Sequence, residues 1–285
     1  MIFEHEIPTG SKLYFGQSAK RKRELENKAS AFLEANGFEE IVTPNFSYSA
    51  HQSIDDETTL ITLSDESNNQ LALRADSTLD VVRIITKRLG RATEHKKWYY
   101  IQPVFTYPAN EVYQIGAEWI GYDNIADVIN LNCKLLQELG VAPLVQIANI
   151  NIPLIIARDF DIDIEIFKNG KIGELLAKDI PWLKKIVQVE KAEELEAIVD
   201  ELPDSLQQEV NKLISIAKEL EYDNIVVSPL YYSAMKYYDN IYYRVIDGNK
   251  TLAKGGGYKS NGVNSLGFAL FSDNILKISE GNKSE

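Results

Sequence analysis

The stretch Lys97-Lys-Trp-Tyr-Tyr-Ile-Gln-Pro-Val-Phe-Thr-Tyr-Pro-Ala-Asn-Glu-Val-Tyr-Gln-Ile-Gly-Ala-Glu-Trp-Ile-Gly121 decides how the chain is read. Two runs rich in aromatic and β-branched residues, Trp98 to Tyr107 and Val112 to Ile120, flank the breakers Pro108 and Asn110. This is the pattern of a hairpin, because such side chains suit a pleated surface and the breakers suit a turn. In the second run, strand alternation puts Gln114, Gly116, Glu118 and Ile120 on one face and Tyr113, Ile115, Ala117 and Trp119 on the other. Gln114 and Glu118 then point the same way, with Gly116 leaving space between them. Two polar side chains flanking a missing one, in an otherwise apolar strand, predict the floor of a small-molecule pocket. An edge strand that shows both residues to water is the alternative.

Upstream of the hairpin, residues 18 to 36 carry Leu25, Ala29, Phe32 and Leu33 at helical spacing, with Ser18 as the expected N-cap and Gly37 as the stop. The basic run Lys20 to Arg23 reads as a solvated helix face rather than a nucleic-acid patch. Phe38 to Pro44 alternates and ends at a proline, which predicts a short strand. Leu60 to Leu63 and Gln70 to Arg74 form a second expected hairpin across a polar turn. Thr78 is placed to cap a helix running to Leu89, ended by Gly90, so that Asp76 sits just before the helix N-terminus. A carboxylate there is favoured by the helix dipole or is free to bind an amine.

Downstream, Ile125 to Leu139 predicts a helix stopped by Gly140, and Leu144 to Ile150 a strand. From about Ile156 to Glu221 the chain is a series of Glu- and Lys-rich helical patterns with few strand signals, so residues 156–221 are expected to form an inserted helical subdomain. The remainder, 1–155 and 222–285, is expected to form one domain. Strands resume at 224–228 and 237–246, and Lys254-Gly-Gly-Gly-Tyr258 reads as a glycine-rich turn. That run lacks the Lys-Ser/Thr of a phosphate-binding loop, so close packing of backbone is its expected use. Asn264 to Leu276 reads as a strand entering a helix. The tyrosines 231, 232, 237, 238, 242 and 243 are expected to pack a core, with one or two phenols at a pocket.

Composition narrows the function. The 285 residues, 45% hydrophobic, can bury a sizeable core. Forty-two acidic against 30 basic residues give a formal charge of −12, which argues against tRNA or DNA as a main partner. No apolar run approaches the roughly 20 residues of a membrane span, and the first residues lack a signal peptide's pattern, so a soluble cytoplasmic protein is expected. The three histidines, His5, His51 and His95, have no ligand spacing, so neither metal nor cofactor is expected. Cys133, the one cysteine, lies in an amphipathic helical pattern and is expected to be a buried structural thiol.

Taken in order, these segments resemble the catalytic domain of class II aminoacyl-tRNA synthetases, and within that class histidyl-tRNA synthetase. The helix and strand ending at Pro44 are similar to motif 1, the dimer-interface element. Leu71-Ala-Leu-Arg-Ala-Asp-Ser-Thr78 resembles the Leu-Arg-Pro-Glu-Gly-Thr segment, Trp98 to Gly121 resembles motif 2, and Gln114-Ile-Gly-Ala-Glu118 the Gln-x-Gly-x-Glu strand. Tyr237-Tyr238 falls at the paired tyrosines of the histidine motif, Gly255-Gly-Gly-Tyr258 resembles Gly-Gly-Arg-Tyr, and Ser265 to Asn274 resembles motif 3. The resemblance implies an α+β fold, an antiparallel sheet flanked by helices. It also implies a histidine site formed by Asp76 and Thr78 toward the amino group, Gln114 and Glu118 lining the pocket, and Tyr238, with Tyr237, at the imidazole. Asp76 is one methylene shorter than the family's Glu.

The departures from the family bear on activity. Where motif 2 has Phe-Arg-x-Glu, this chain has Phe105-Thr-Tyr-Pro108, and where motif 3 ends in Gly-Leu-Glu-Arg it has Phe271-Ser-Asp-Asn274. Both arginines that stabilise phosphate charge in adenylation are missing, and losing such preorganised charge costs orders of magnitude in rate per group. The turn between the motif 2 strands is short, Ser233 to Lys236 replaces Arg-Gly-Leu-Asp, and the chain ends soon after motif 3, so no anticodon-binding domain is expected. This combination is similar to the regulatory-subunit family of ATP phosphoribosyltransferase, the first enzyme of histidine biosynthesis. Membership implies a non-catalytic chain that partners and activates the short-form catalytic subunit (HisG), self-associates through the motif 1 region, and contributes to feedback inhibition with free histidine as effector. Two alternatives stay open: an orphan paralogue that senses an amino acid for another partner, and an active histidyl-tRNA synthetase fragment.

Overall fold

The expected hairpin forms, as an antiparallel ladder running from the pair Lys97–Trp119 to the pair Thr106–Asn110. The computed structural model describes residues 6–52, 57–90, 93–232, 238–260 and 262–281. Two compact units emerge: residues 1–122, 135–141 and 260–285 form the first, and 123–134 with 142–259 the second.

The first unit begins with α1 (Gly16–Ala35), followed by β1 (Glu39–Glu40), β2 (Phe46–Tyr48), β3 (Thr62–Ser64) and β4 (Gln70–Leu73). After them come α2 (Thr78–Ile84), continued as one wide turn over Ile85–Leu89, then β5 (Lys97–Thr106) and β6 (Asn110–Ile120). The second unit contains the start of α3 (Ile125–Glu138), then β7 (Leu144–Asn149) and six helices. These are α4 (Asn151–Asp159), α5 (Ile164–Lys168), α6 (Ile172–Leu176), α7 (Pro181–Val187), α8 (Ala192–Ile198) and α9 (Asp204–Glu219). β8 (Ile225–Val227), β9 (Tyr238–Asp247) and β10 (Lys250–Ser260) complete it, and the chain returns to the first unit with β11 (Val263–Phe271) and α10 (Ser272–Gly281).

In the first unit the strands run β1-β5-β6-β11, beside a separate three-stranded sheet β2-β4-β3. In the second the order is β10-β9-β7-β8. The class is α+β, as expected, and most pairs are antiparallel, but β1 with β5 and β7 with β8 are parallel. The parallel pairs escape a local reading because each joins strands far apart in the chain, with helices or a separate sheet between them.

Register explains how β5 tolerates Pro103. The Tyr99 carbonyl accepts from the Ile41 N–H and the Phe105 N–H donates to the Arg74 carbonyl at 2.8 Å, so odd-numbered backbone groups of β5 face away from β6. The N–H that proline lacks would have pointed there, and no β5–β6 ladder bond is lost. One face of β5–β6 packs on α1, whose Leu25, Ala29 and Leu33 are buried. The Tyr99 hydroxyl meets Ser30 Oγ at 2.8 Å and donates to Glu34 at 2.9 Å. Ser18 is not the cap residue: α1 starts two residues earlier, and Ser18 reaches back to the Phe15 backbone, accepting from its N–H at 3.0 Å.

The glycine-rich run is also placed differently. Lys254 to Tyr258 is the interior of β10, not a turn, because the chain reverses earlier, between Asp247 and Lys250. The glycines serve close packing as expected: a Cβ on Gly255 would lie 2.6 Å from the Tyr243 ring. Tyr242 and Tyr243 are core residues, 2% and 0% exposed. Cys133 is buried, and burial pushes its thiol up to about 12.

Candidate functional site

The even-numbered face of β5 and β6, with the odd-numbered residues of β11, builds the candidate site. Register places Gln102, Gln114 and Phe271 in one row, Tyr100, Gly116 and Ala269 in the next, and Trp98, Glu118 and Gly267 in the third. Gln114 and Glu118 therefore share a face, as alternation requires, with Cα atoms roughly 13 Å apart along the strand. Both are inside: Glu118 is 0% and Gln114 8% exposed, so they are not the solvated rim of an edge strand.

The expected gap over Gly116 is filled. A Cβ on Gly116 would lie 2.1 Å from the Tyr100 ring, so this glycine admits a cross-strand phenol rather than leaving open space. Gly267 does the same for the carboxylate, since a Cβ there would be 1.8 Å from Glu118 Oε2. The two glycines thus let Tyr100 and Glu118 lie flat on neighbouring strands and approach each other. The Tyr100 hydroxyl points to Glu118 Oε1 at 3.5 Å and meets Thr78 Oγ1 at 3.3 Å. Thr78, Tyr100 and Glu118 form one buried polar row. Tyr100, which completes it, was missed in the sequence because its partners lie on three separate elements.

Thr78 opens α2 but does not cap it: Asp76 Oδ1 accepts the Leu79 N–H at 3.3 Å, which leaves the Thr78 hydroxyl for Tyr100. Asp76 is half-buried at this helix start. Tyr237 lies outside the described residues. Tyr238 opens β9 opposite Tyr258, and its side chain is likewise outside the description.

Behind the row, polar groups fix the floor. Gln102 donates to Ser77 Oγ at 3.1 Å and to Thr43 Oγ1 at 3.0 Å. Arg74, 1% exposed, donates to the carbonyls of Pro103, Thr43 and Pro44 at 2.7 to 3.0 Å and to Asn45 at 3.1 Å. Burial lowers its pKa, opposed by the charges of Asp80 and Tyr100. The guanidinium is a bracket for the segment before β2 and cannot also serve a ligand phosphate.

Of the buried side-chain atoms without hydrogen-bond partners among the described residues, two acceptors lie on this face, Gln114 Oε1 and Ser265 Oγ. Buried polar atoms are rarely left unbonded, so such atoms point to a donor-bearing guest. A carboxylate, an amide oxygen and a hydroxyl suit an ammonium or an imidazole N–H. No Arg or Lys stands on this face along β5, β6 or β11. Thr106 ends β5 opposite Asn110, and Asp273 at the start of α10 accepts from the Tyr14 hydroxyl and, at 3.4 Å, from the Tyr113 N–H. At the diverging positions, Thr106 is thus a ladder residue and Asp273 a hydrogen-bond acceptor within the fold.

Comparison with known proteins agrees with this geometry. The histidyl-tRNA synthetase family profile matches residues 14–275. An ATP phosphoribosyltransferase regulatory subunit from Wolinella succinogenes is 43% identical over 277 residues, covering 97% of this chain and 96% of that protein. A protein of the same description from Helicobacter hepaticus is 40% identical over 277 residues, with 97% and 99% covered. A crystal structure from Bacillus halodurans C, described as an ATP phosphoribosyltransferase regulatory subunit/histidyl-tRNA synthetase, superposes with a TM-score of 0.85 at 18% identity, covering 97% of this chain and 84% of that one. With likeness running over nearly the whole of both chains, this protein belongs to the ATP phosphoribosyltransferase regulatory subunits, a family built on the histidyl-tRNA synthetase fold.

Proposed function

We propose that the chain is the non-catalytic regulatory partner of the short-form ATP phosphoribosyltransferase catalytic subunit, activating it and conferring inhibition by free histidine. The observation that carries this reading is the buried face of Glu118, Tyr100 and Gln114, with acceptors for an amino acid and no Arg or Lys along β5, β6 or β11 for a nucleotide phosphate. An adenylating site needs positive charge against the phosphates, and β5, β6 and β11 supply none there. Histidine offers an ammonium and an imidazole N–H, which match a carboxylate and an unbonded amide oxygen. The resemblance to the synthetase further assigns Asp76, Thr78, Tyr237 and Tyr238 to histidine binding.

Regulation follows by linkage. A ligand that binds one arrangement of the complex more tightly shifts the population toward it by that difference in affinity. Self-association is assigned to the motif 1 region, where Val42, Phe46 and Tyr48 are 79%, 54% and 51% exposed, an apolar group that another surface would cover. Residues 156–221 are assigned as a helical insertion in the synthetase-like domain.

The test is reconstitution. The catalytic subunit is purified with and without this chain and assayed across a histidine titration, while pyrophosphate exchange with ATP and histidine is measured on this chain alone. Activity that depends on the chain and falls with histidine, with no exchange, supports the reading. Catalysis indifferent to the chain sinks it, and robust exchange would return the protein to the synthetases.

A further inference from the structure

The second unit holds a cavity that the histidine reading does not use. It has a volume of about 530 Å³ and lies between the face of β7 and β9 that bears Gln146 and Arg244, the helices α5 to α7, and the segment 228–232. Its charged lining residues are Lys168 and Arg244, both cationic, in a chain whose formal charge is −12. A cavity that gathers positive charge inside an acidic protein is the reverse of what composition alone would give.

Arg244 is held in place as a fork. Its Nε donates to Gln146 Oε1, Gln146 in turn donates to Ser228 Oγ at 2.6 Å, and the guanidinium lies 4.4 Å from the centre of the Tyr231 ring. Only Nε is used in these bonds, and among the described residues no carboxylate lies within ion-pair distance of Arg244. Lys254 sits directly opposite on β10, likewise without an acidic partner among the described residues. Burial and the neighbouring Arg244 both lower its pKa, so the two cations repel and an anion would relieve both. Lys168 contributes less, since it is already paired with Glu165 at 2.6 Å.

We propose that this cavity is a binding site for a small phosphate monoester. The terminal nitrogens of a planar, stacked Arg present the geometry that phosphate oxygens take in pairs, and Lys254, its cross-strand partner on β10, adds positive charge beside the cavity. Tyr232, which also lines the cavity, supplies an aromatic side chain for the organic part of the ester. The site is independent of the Glu118 face and of histidine.

Calorimetry on the full chain tests it, with inorganic phosphate, phenyl phosphate, phenol and benzoate as probes. Phenyl phosphate is expected to bind saturably and more tightly than inorganic phosphate, with phenol not binding. Arg244→Gln should weaken it about tenfold or more, the loss typical of a charge-assisted hydrogen-bonding group. Lys254→Met should weaken it in the same direction and carries the test should Arg244→Gln not fold. No saturable binding of phenyl phosphate, affinity unchanged in both variants, or benzoate binding as tightly would each overturn the proposal. Histidine titrations of the same variants should match the parent, which separates this site from the one on β6.

Discussion

The two faces of the β5–β6 hairpin obey the same alternation and are built for opposite ends. On the odd face, rings take cations and a helix: Lys22 Nζ sits 4.0 Å above Tyr113, Lys97 Nζ sits 4.0 Å above Trp119, and α1 covers Tyr99. On the even face β5, β6 and β11 carry no Arg or Lys, and two glycines instead let a phenol and a carboxylate lie on neighbouring strands. The odd face is packed to hold, while the even face is packed around polar atoms, two of which remain unbonded. Selection for stability alone would have no reason to bury Glu118 and Gln114 there, since burying charge is costly without compensating partners.

The comparison can be broken most forcefully at Arg74, the bracket behind the even face. Arg74→Leu strands several buried carbonyls at about 1–3 kcal/mol each, so a loss of at least about 3 kcal/mol is expected by urea denaturation. Gly116→Ala comes next: the new methyl collides with the Tyr100 ring, and overpacking of this kind costs about 1–3 kcal/mol. Glu118→Gln should leave the denaturation midpoint nearly unchanged and weaken histidine by about tenfold in calorimetry, as expected for loss of a charged acceptor. Unchanged affinity would mean that the even face no longer serves a ligand. On the odd face, Lys97→Met should cost only about 0.5–1 kcal/mol, the worth of a single cation–π contact, and leave histidine binding alone. The smallest effect is expected at Cys133: with its thiol pushed up to about 12, the native protein should resist iodoacetamide at pH 8 and react once unfolded.

Much of this was legible because it is local. The hairpin, the shared face of Gln114 and Glu118, the stop at Gly140 and the helical run before β8 all follow from periodicity and breakers within a few residues. Relations between strands were not legible. That Gly116 receives Tyr100 and Gly267 receives Glu118 depends on register with β5 and β11, which no single strand reveals. Arg74 looked like part of a ligand segment, but its partners lie about 30 residues away on both sides along the chain. Asp76 and Thr78 exchanged roles because two candidate caps stood two residues apart: Asp76 took the Leu79 N–H, and Thr78 met the Tyr100 phenol of another element. The glycine run on β10 reads locally as a turn because the ring that needs those glycines, Tyr243, belongs to the adjacent strand.

Pro103 has a further consequence for the life of the chain before it is fully assembled. β5 is ten residues long, but β1 covers only two of them, so most of its outer edge could template strand addition by another unfolded copy. Pro103 removes a donor from that edge, and Arg74 occupies its carbonyl and accepts the Phe105 N–H. The same guanidinium that steadies the pocket floor therefore seals the edge against aggregation, so variants that loosen it should be less soluble as well as less stable.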